Sequence, residues 1–138
     1  MIGIDTNILA RFYCDDPDDP EALRQRPIAR RVMLESDALF VPLTVVLELE
    51  WVMRAFFETD AAAFCDVGTH LSGMPHVVVE RWEGGNDAIE LHRRGLDFAD
   101  AVHWACSSHC REFLSFDDRR FVRRARRTKL TPEVHLPK

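Results

Sequence analysis

Residues 1–12, MIGIDTNILARF, place a short apolar strand, a carboxylate and a helical segment in immediate succession. Met1 to Ile4 are apolar, and Gly3 is small enough for a neighbouring element to approach closely. Residues 6–13 then favour a helix, so Asp5 stands where the strand ends. Burying a carboxylate is unfavourable unless a partner or a cation compensates its charge. The stretch therefore predicts a βα unit with an acid at its junction.

The same alternation of strand and helix continues along the chain. Further short apolar strands are predicted at 38–42, 76–80 and 112–116. Apolar strands separated by helices indicate a parallel sheet that is covered on both faces, an α/β sandwich of the α/β/α type in one domain over residues 1–138. The helices are predicted over 6–13, 21–35 with an interruption near Pro27, 44–57 with Thr44 as N-cap, 61–72 with Asp60 as N-cap, 86–94 stopped by Gly95, 97–108 and 119–128.

The composition is that of an ordinary globular domain. The chain has 138 residues, of which 46% are hydrophobic and 30% are charged, so it is neither disordered nor fibrous. No apolar run approaches the ~20 residues that span a bilayer, and the N-terminus lacks the pattern of a secretory signal. The four cysteines are scattered, which suits a reducing compartment. We therefore expect a cytoplasmic protein without a membrane partner.

One cysteine and histidine cluster raises the possibility of a zinc site. On a helix, His103, Cys106 and Cys110 share a face, which suits metal ligation. A Cys/His site usually combines two short motifs, however, and this chain offers only one. Packing of the small cysteines with Trp104 in a helical core is the favoured interpretation.

Charge is distributed unevenly along the chain. Residues 1–110 carry 9 basic and 19 acidic side chains, a net charge of −10, whereas residues 111–138 carry 9 basic and 4 acidic ones, a net charge of +5. Seven of the basic side chains fall within 119–129, and six of these are arginines. Charge runs often only solvate a helix face, but the guanidinium fork binds phosphate bidentately. The asymmetry indicates an anionic partner.

Five acids are predicted near the carboxyl edge of the sheet, where open parallel sheets bind ligands. Most have an alternative role: Asp97 and Asp100 suit a helix N-cap and its capping box, Asp117 suits the cap of the arginine-rich helix, and Glu48 suits a helix surface. Asp5 needs no capping role in this interpretation. The acids are Asp5 and Asp117 after strands, Glu48 in an early helical turn, and Asp97 and Asp100 three residues apart on one helix.

Acids gathered in this way would need a cation. Two unit charges ~4 Å apart repel by roughly 4 kcal/mol at an effective dielectric constant near 20. Such a cluster shifts its pKa values or binds a hard divalent ion. A donor set of oxygen atoms alone favours Mg²⁺, with Mn²⁺ as a substitute, over Zn²⁺.

Four motifs together resemble a PIN-domain ribonuclease, and most closely the VapC-like toxins of type II toxin–antitoxin pairs. They are IDTNIL at 4–9, PLTVVLELEWVMR at 42–54, LDFADAVHWA at 96–105 and LSFDDRRF at 114–121, and the resemblance spans essentially the whole chain. It implies that Asp5, Glu48, Asp100 and Asp117 are catalytic, and that Asp5, Asp97, Asp100 and Asp117 bind metal. Thr6, Asn7 and Ser115 would support these carboxylates. Two assignments stay open: Glu50 in place of Glu48, and Asp97 or Asp100 as the direct ligand.

The resemblance implies a Mg²⁺-dependent endoribonuclease with an RNA substrate and a separate antitoxin chain as partner, and we also expect a homodimer. Two other classes are weighed against this function. A phosphatase or phosphoacceptor domain would need a lysine near the acids, but the two lysines, Lys129 and Lys138, are C-terminal. A non-catalytic binding module with a PIN-like fold would tolerate loss of an acid. The arginines expected to bind RNA are Arg119, Arg120, Arg123, Arg124 and Arg127.

Overall fold

The opening stretch forms the predicted strand and helix. In a computed structural model that describes residues 1–81 and 84–138, strand β1 covers Ile2–Gly3 and helix α1 covers Thr6–Tyr13. The chain divides into two compact units, of which the first ends and the second begins between Arg81 and Gly84. The prediction of a single domain stays a prediction.

The sheet of the first unit has three parallel strands in the order β1-β2-β3. Ile2 pairs with Leu39, and Leu39 pairs with Val77. The remaining elements of this unit are α2 (Pro20–Glu35), β2 (Leu39–Val41), α3 (Leu43–Phe56), α4 (Ala61–Gly73) and β3 (Val77–Val79).

One face of this sheet forms much of the core of the first unit. Ile4, Leu39 and Val41 are buried on that face. On the opposite face Phe40 is half-buried and Val78 is exposed, so this face is covered less completely than the sequence predicts. The parallel strands connected by helices confirm the predicted α/β class.

Two predicted details of the helices are wrong. Helix α2 continues through Pro27 without the expected break, because the exposed ring removes one N–H but the turns on both sides persist. Thr44 is not the N-cap of α3, which is Pro42 without a side-chain cap. The free N–H of Leu43 instead donates to Glu80 Oε2 at 2.9 Å, so an acid after β3 supplies the cap from a distant part of the sequence.

The second unit contains helices, two strands and the arginine-rich segment. Its elements are α5 (Gly85–Arg93), α6 (Phe98–Cys106), β4 (Glu112–Leu114), a turn of π-helix (Asp118–Val122), α7 (Arg123–Arg126) and β5 (Glu133–His135). Phe121 packs edge-on against Trp104 and Phe113, with ring centroids 6.0 and 5.5 Å apart. These aromatic contacts form the centre of the core of this unit.

Strand β5 was not predicted, and its presence changes the sheet topology. The sequence places 112–116 in the same sheet as the earlier strands, but β4 pairs in parallel with β5 in a separate sheet of two strands. The pattern missed β5 because its three residues, Glu133, Val134 and His135, include two polar side chains and lie between prolines.

The arginine-rich segment is not the single helix predicted over 119–128. It starts with the π-helical turn and continues as the four residues of α7. Among the residues described, no helix is both long and apolar enough to cross a membrane.

Candidate active site

Asp5 begins the first helix and is exposed to solvent. It is the N-cap of α1, and its Oδ1 accepts the N–H of Thr6 at 2.8 Å. The inference that Asp5 needs no capping role is therefore wrong, because the chain turns from strand to helix at Asp5 itself. Its Oδ2 accepts no hydrogen bond from residues 1–81 or 84–138. The cap thus occupies one oxygen of the carboxylate, and the other can contact a ligand.

Three further predicted residues line one cleft between α1 and α3. Thr6 and Asn7 come from α1, and Glu48 comes from α3; the cleft has a volume of about 410 Å³. Glu48 is exposed, whereas Glu50 is buried and binds Arg54, with 2.9 Å between Oε1 and Nε. The structure thus distinguishes the two glutamates: Glu48 lines the cleft, and Glu50 forms an intrahelical ion pair.

The hydroxyl of Thr6 has an unusual environment within this cleft. Thr6 is 5% exposed, and its Oγ1 forms no hydrogen bond to any residue that the structure describes. A buried polar atom without a partner is unfavourable unless a ligand or water satisfies it. Thr6 was predicted to support the carboxylates, and its unpaired oxygen suits that role.

The lining of the cleft also includes Arg11, Asp16 and Asp19, which were not predicted from sequence as site residues. The Arg11 guanidinium lies 3.5 Å from Asp19 Oδ2, 4.0 Å from Asp16 Oδ2 and 3.0 Å from Gln25 Oε1. The two acids belong to the turn-rich segment CDDPDDP at residues 14–20, to which the sequence analysis assigned no role. The density of acids in that turn was the one available signal.

The second unit brings the other three predicted acids into electrostatic contact. The half-buried carboxyl of Asp100 has a raised pKa, first because burial disfavours its charged form, then because of the negative charges of Asp97 and Asp117; His103 acts in the opposite direction. Mutual repulsion among acids of the predicted set is therefore present within this unit alone.

Asp97 and Asp117 also act as helix caps. Asp97 caps α6 by accepting the N–H of Ala99 at 3.2 Å, and Asp117 caps the π-helical turn by accepting the N–H of Arg120 at 3.0 Å. Ser115 was expected to orient a carboxylate, but its Oγ accepts the backbone N–H of Asp117 at 3.1 Å. Ser115 therefore positions the main chain at Asp117.

All of the predicted arginines are exposed. Within the described part of the chain, none of the arginines at 119–127 forms an ion pair. Arg124 differs from the others because its Nη1 donates to the carbonyl oxygen of Gly95, in the turn before Asp97. The arginines are therefore largely available to bind an anion. Arg124 also stabilises the turn at Gly95 through its hydrogen bond to the carbonyl oxygen.

The donor chemistry of the five predicted acids fits a hard divalent cation. Over residues 1–81 and 84–138, no group of three or more Asp, Glu, His or Cys side chains lies close enough together to hold a metal ion. Asp5 and Glu48 belong to the first unit, and Asp97, Asp100 and Asp117 belong to the second. All five supply only oxygen, as Mg²⁺ and Mn²⁺ prefer.

Cys106 is half-buried and Cys110 is exposed, so Cys110 does not pack in the core as predicted.

We expect Asp100→Asn to stabilise the metal-free protein. Because the pKa is raised above the ordinary 3.8, the folded state binds more protons than the unfolded state just above that pH, so stability falls as pH rises through this window. At neutral pH the variant should melt roughly 1 to 3 °C higher in EDTA, and its stability should fall less as the pH rises above the ordinary pKa of 3.8. Asp87→Asn, at an exposed acid of α5, is the matched control and should not melt higher. A lower melting temperature for Asp100→Asn would show that its negative charge stabilises α6.

Comparison with known families gives one match. A family model described as the PIN domain matches residues 2–127, which includes every predicted acid and most of the arginine-rich segment. No curated protein matches the chain in sequence.

Proposed function

The chain belongs to the PIN domain family, and from that premise we propose that it is a Mg²⁺-dependent endoribonuclease that acts as the toxin of a toxin–antitoxin pair. The family fold is of the nuclease type, and its members are generally metal-dependent. The observation that carries the proposal is that the negative charges of Asp97 and Asp117 act on Asp100 and, with its burial, raise its pKa, because carboxylates that repel one another are stabilised by a divalent ion.

Four of the acids, Asp5, Asp97, Asp100 and Asp117, would bind the cation. Glu48, which lines the cleft of the first unit, would complete the catalytic set. When bound, the cation supplies charge neutralisation at the phosphoryl group and acidifies water for in-line attack. Mn²⁺ is expected to substitute for Mg²⁺.

The remaining side chains would orient the acids and bind the substrate. Thr6 and Asn7 lie next to Asp5 and line the same cleft as Glu48, so they can hold a carboxylate or a water by hydrogen bonds. Ser115 fixes the backbone of Asp117. The resemblance implies products with a 5′-phosphate and a 3′-hydroxyl.

An exposed aromatic ring beside one of the acids supports a single-stranded substrate. Phe116 is 86% exposed between Ser115 and Asp117. Its carbonyl accepts the N–H of Asp118 at 2.9 Å, and Ser115 donates to His135 at 3.0 Å, so the backbone around the ring is fixed. An exposed ring on a fixed backbone can stack on an unpaired base, and the exposed arginines at 119–127 can bind the adjacent phosphates.

The toxin role depends on the motif resemblance, and it implies an antitoxin as a separate chain, a homodimer and a cytoplasmic location. A phosphoacceptor or phosphatase is less well supported, because Lys129 lines a pocket that contains none of the five acids. A non-catalytic binding module is distinguished from the nuclease by activity alone.

Metal dependence tests the proposal directly. We expect the purified chain to cleave single-stranded RNA in Mg²⁺ or Mn²⁺, to stop in EDTA and to resume when the ion is restored. Mg²⁺ should also raise the melting temperature, because an ion that binds only the folded state stabilises it. Specific cleavage that persists in EDTA would contradict the mechanism. Binding of RNA without cleavage in either metal would favour the non-catalytic module.

A further inference from the structure

A second pocket lies within the second unit, where α7, the 128–131 turn and β5 come together. Its volume is about 400 Å³, within the range of small-ligand sites, and its lining includes none of the predicted acids. The arginines predicted from sequence to bind RNA do not line it either. The arginine and lysine side chains in its lining are those of Arg126 and Lys129.

The floor of this pocket is apolar and buried. Trp104, Ala125 and Val134 are buried there, at 2%, 5% and 3% exposure. The indole N–H of Trp104 donates to the carbonyl oxygen of Pro132 at 2.7 Å, which fixes the ring against the segment that precedes β5. A preformed apolar floor of this kind favours a flat, uncharged group.

The wall of the pocket is cationic. Arg126 and Lys129 are exposed, and neither forms an ion pair within residues 1–81 and 84–138. The one acid in the lining, Glu133, is already engaged by His135, with 3.2 Å between Oε2 and Nε2. Two unpaired cations beside an apolar floor match a ligand that combines an anionic group with a ring.

We propose that this pocket binds one nucleotide of an RNA strand, with the base against the apolar side of the pocket and the phosphate against Arg126 and Lys129. Arginine suits the phosphate because its fork donates two parallel hydrogen bonds, and lysine adds a compact charge. The inference depends on the proposed function only for the choice of RNA as the source of the nucleotide. The pocket would anchor the strand through residues other than the predicted acids.

The test measures binding in EDTA, so that cleavage plays no part. The full chain is titrated with an unphosphorylated single-stranded RNA of about ten nucleotides, a length typical of single-strand sites. Arg126→Ala/Lys129→Ala should lose roughly tenfold or more in affinity, and its dependence on salt should fall by about 1.4 in logarithmic slope, for two lost contacts. Arg30→Ala/Arg31→Ala removes the same charge from the exposed surface of α2 and should bind as the wild type does.

Two further measurements complete the test. Arg126→Lys keeps the charge but removes the fork, and it should bind more weakly than the wild type and more tightly than the double variant; its melting temperature checks folding. Competition by 5′-AMP would support a pocket that also accepts a free nucleotide, and failure of AMP to compete would support one specific for the linked chain. Equal affinities for the double variant and its control would overturn the proposal, as would competition by polyglutamate as strong as that by RNA. If RNA binds here but is never cleaved in Mg²⁺, the proposed nuclease function fails and the pocket stands.

Discussion

Asp5→Asn should lower the rate of RNA cleavage by about 10²-fold or more, comparable to the loss of a key electrostatic group in an active site. The structure makes this substitution unusually informative. Asp5 caps α1 through Oδ1, and asparagine is as good an N-cap as aspartate. The variant therefore removes the negative charge and keeps the helix start, so a loss of activity can be assigned to the charge. The measurement is single-turnover cleavage in saturating Mg²⁺.

Asp60→Asn provides the matched control for this prediction. Asp60 also begins a helix of the first unit, and its Oδ1 accepts the N–H of Ala63 at 2.8 Å. Neither Asp5 nor Asp60 lines the cleft that contains Glu48, but Asp5 directly precedes the lining residues Thr6 and Asn7, and Asp60 adjoins no lining residue in sequence. Both variants lose one charge at a helix N-cap, but only Asp5→Asn should lose activity. Similar rates for the two variants would show that Asp5 is a structural cap and would remove it from the catalytic set.

The local features of the fold could be predicted because they depend on short-range chemistry. The capping role of Asp60, the start of α1 at residue 6 and the stop at Gly95 all follow from side chains next to the helix ends. Gly95 has φ of +102°, a conformation that favours glycine. Predictions of this kind need no knowledge of distant segments.

The features that were missed depend on contacts between distant parts of the sequence. The N-terminus of α3 is capped by Glu80, which is 37 residues from Leu43. The residues next to the helix start predict Thr44 as the cap instead. Residues 133–135 form strand β5 because they pair with β4. Only one of the three side chains is apolar, so the sequence pattern alone does not predict a strand there. The alternation of apolar and polar residues predicts a strand that buries one face. It does not predict a strand that forms because a neighbouring strand pairs with it.

The candidate site shows the same division. Sequence identified the acids, because their positions after strands and at helix starts are local. It selected Glu48 and left Glu50, two residues away, open as the alternative. It gave no role to the acids of the CDDPDDP segment, although Asp16 and Asp19 line the cleft and contact Arg11. Which face of α3 each glutamate occupies depends on how the helix packs, and that information lies in the tertiary structure.

We expect the exposed arginines at 119–127 to supply most of the salt dependence of RNA binding. Arg119, Arg123 and Arg127 are exposed, and they form no ion pair in the described residues. In an Asp5→Asn background, Arg119→Gln/Arg123→Gln/Arg127→Gln should reduce the slope of logarithmic affinity against logarithmic salt by about 2, from roughly 0.7 for each single-strand phosphate contact. Arg124 is left unchanged because its bond to Gly95 fastens the turn before Asp97.

The control and the competing explanation can be separated in the same titrations. Arg24→Gln/Arg30→Gln/Arg31→Gln removes three charges from exposed positions on α2 and should leave the slope close to that of the parent. If the arginines at 119–127 instead bind a partner protein, the triple variant will bind RNA as the parent does, and the segment must then be removed from the RNA site. Pairing of these arginines with acids of the same chain would lower the melting temperature of the variant. The structure argues against this last explanation, because the arginine side chains of the segment are exposed. The hydrogen bond of Arg124 goes to a backbone carbonyl rather than to a carboxylate.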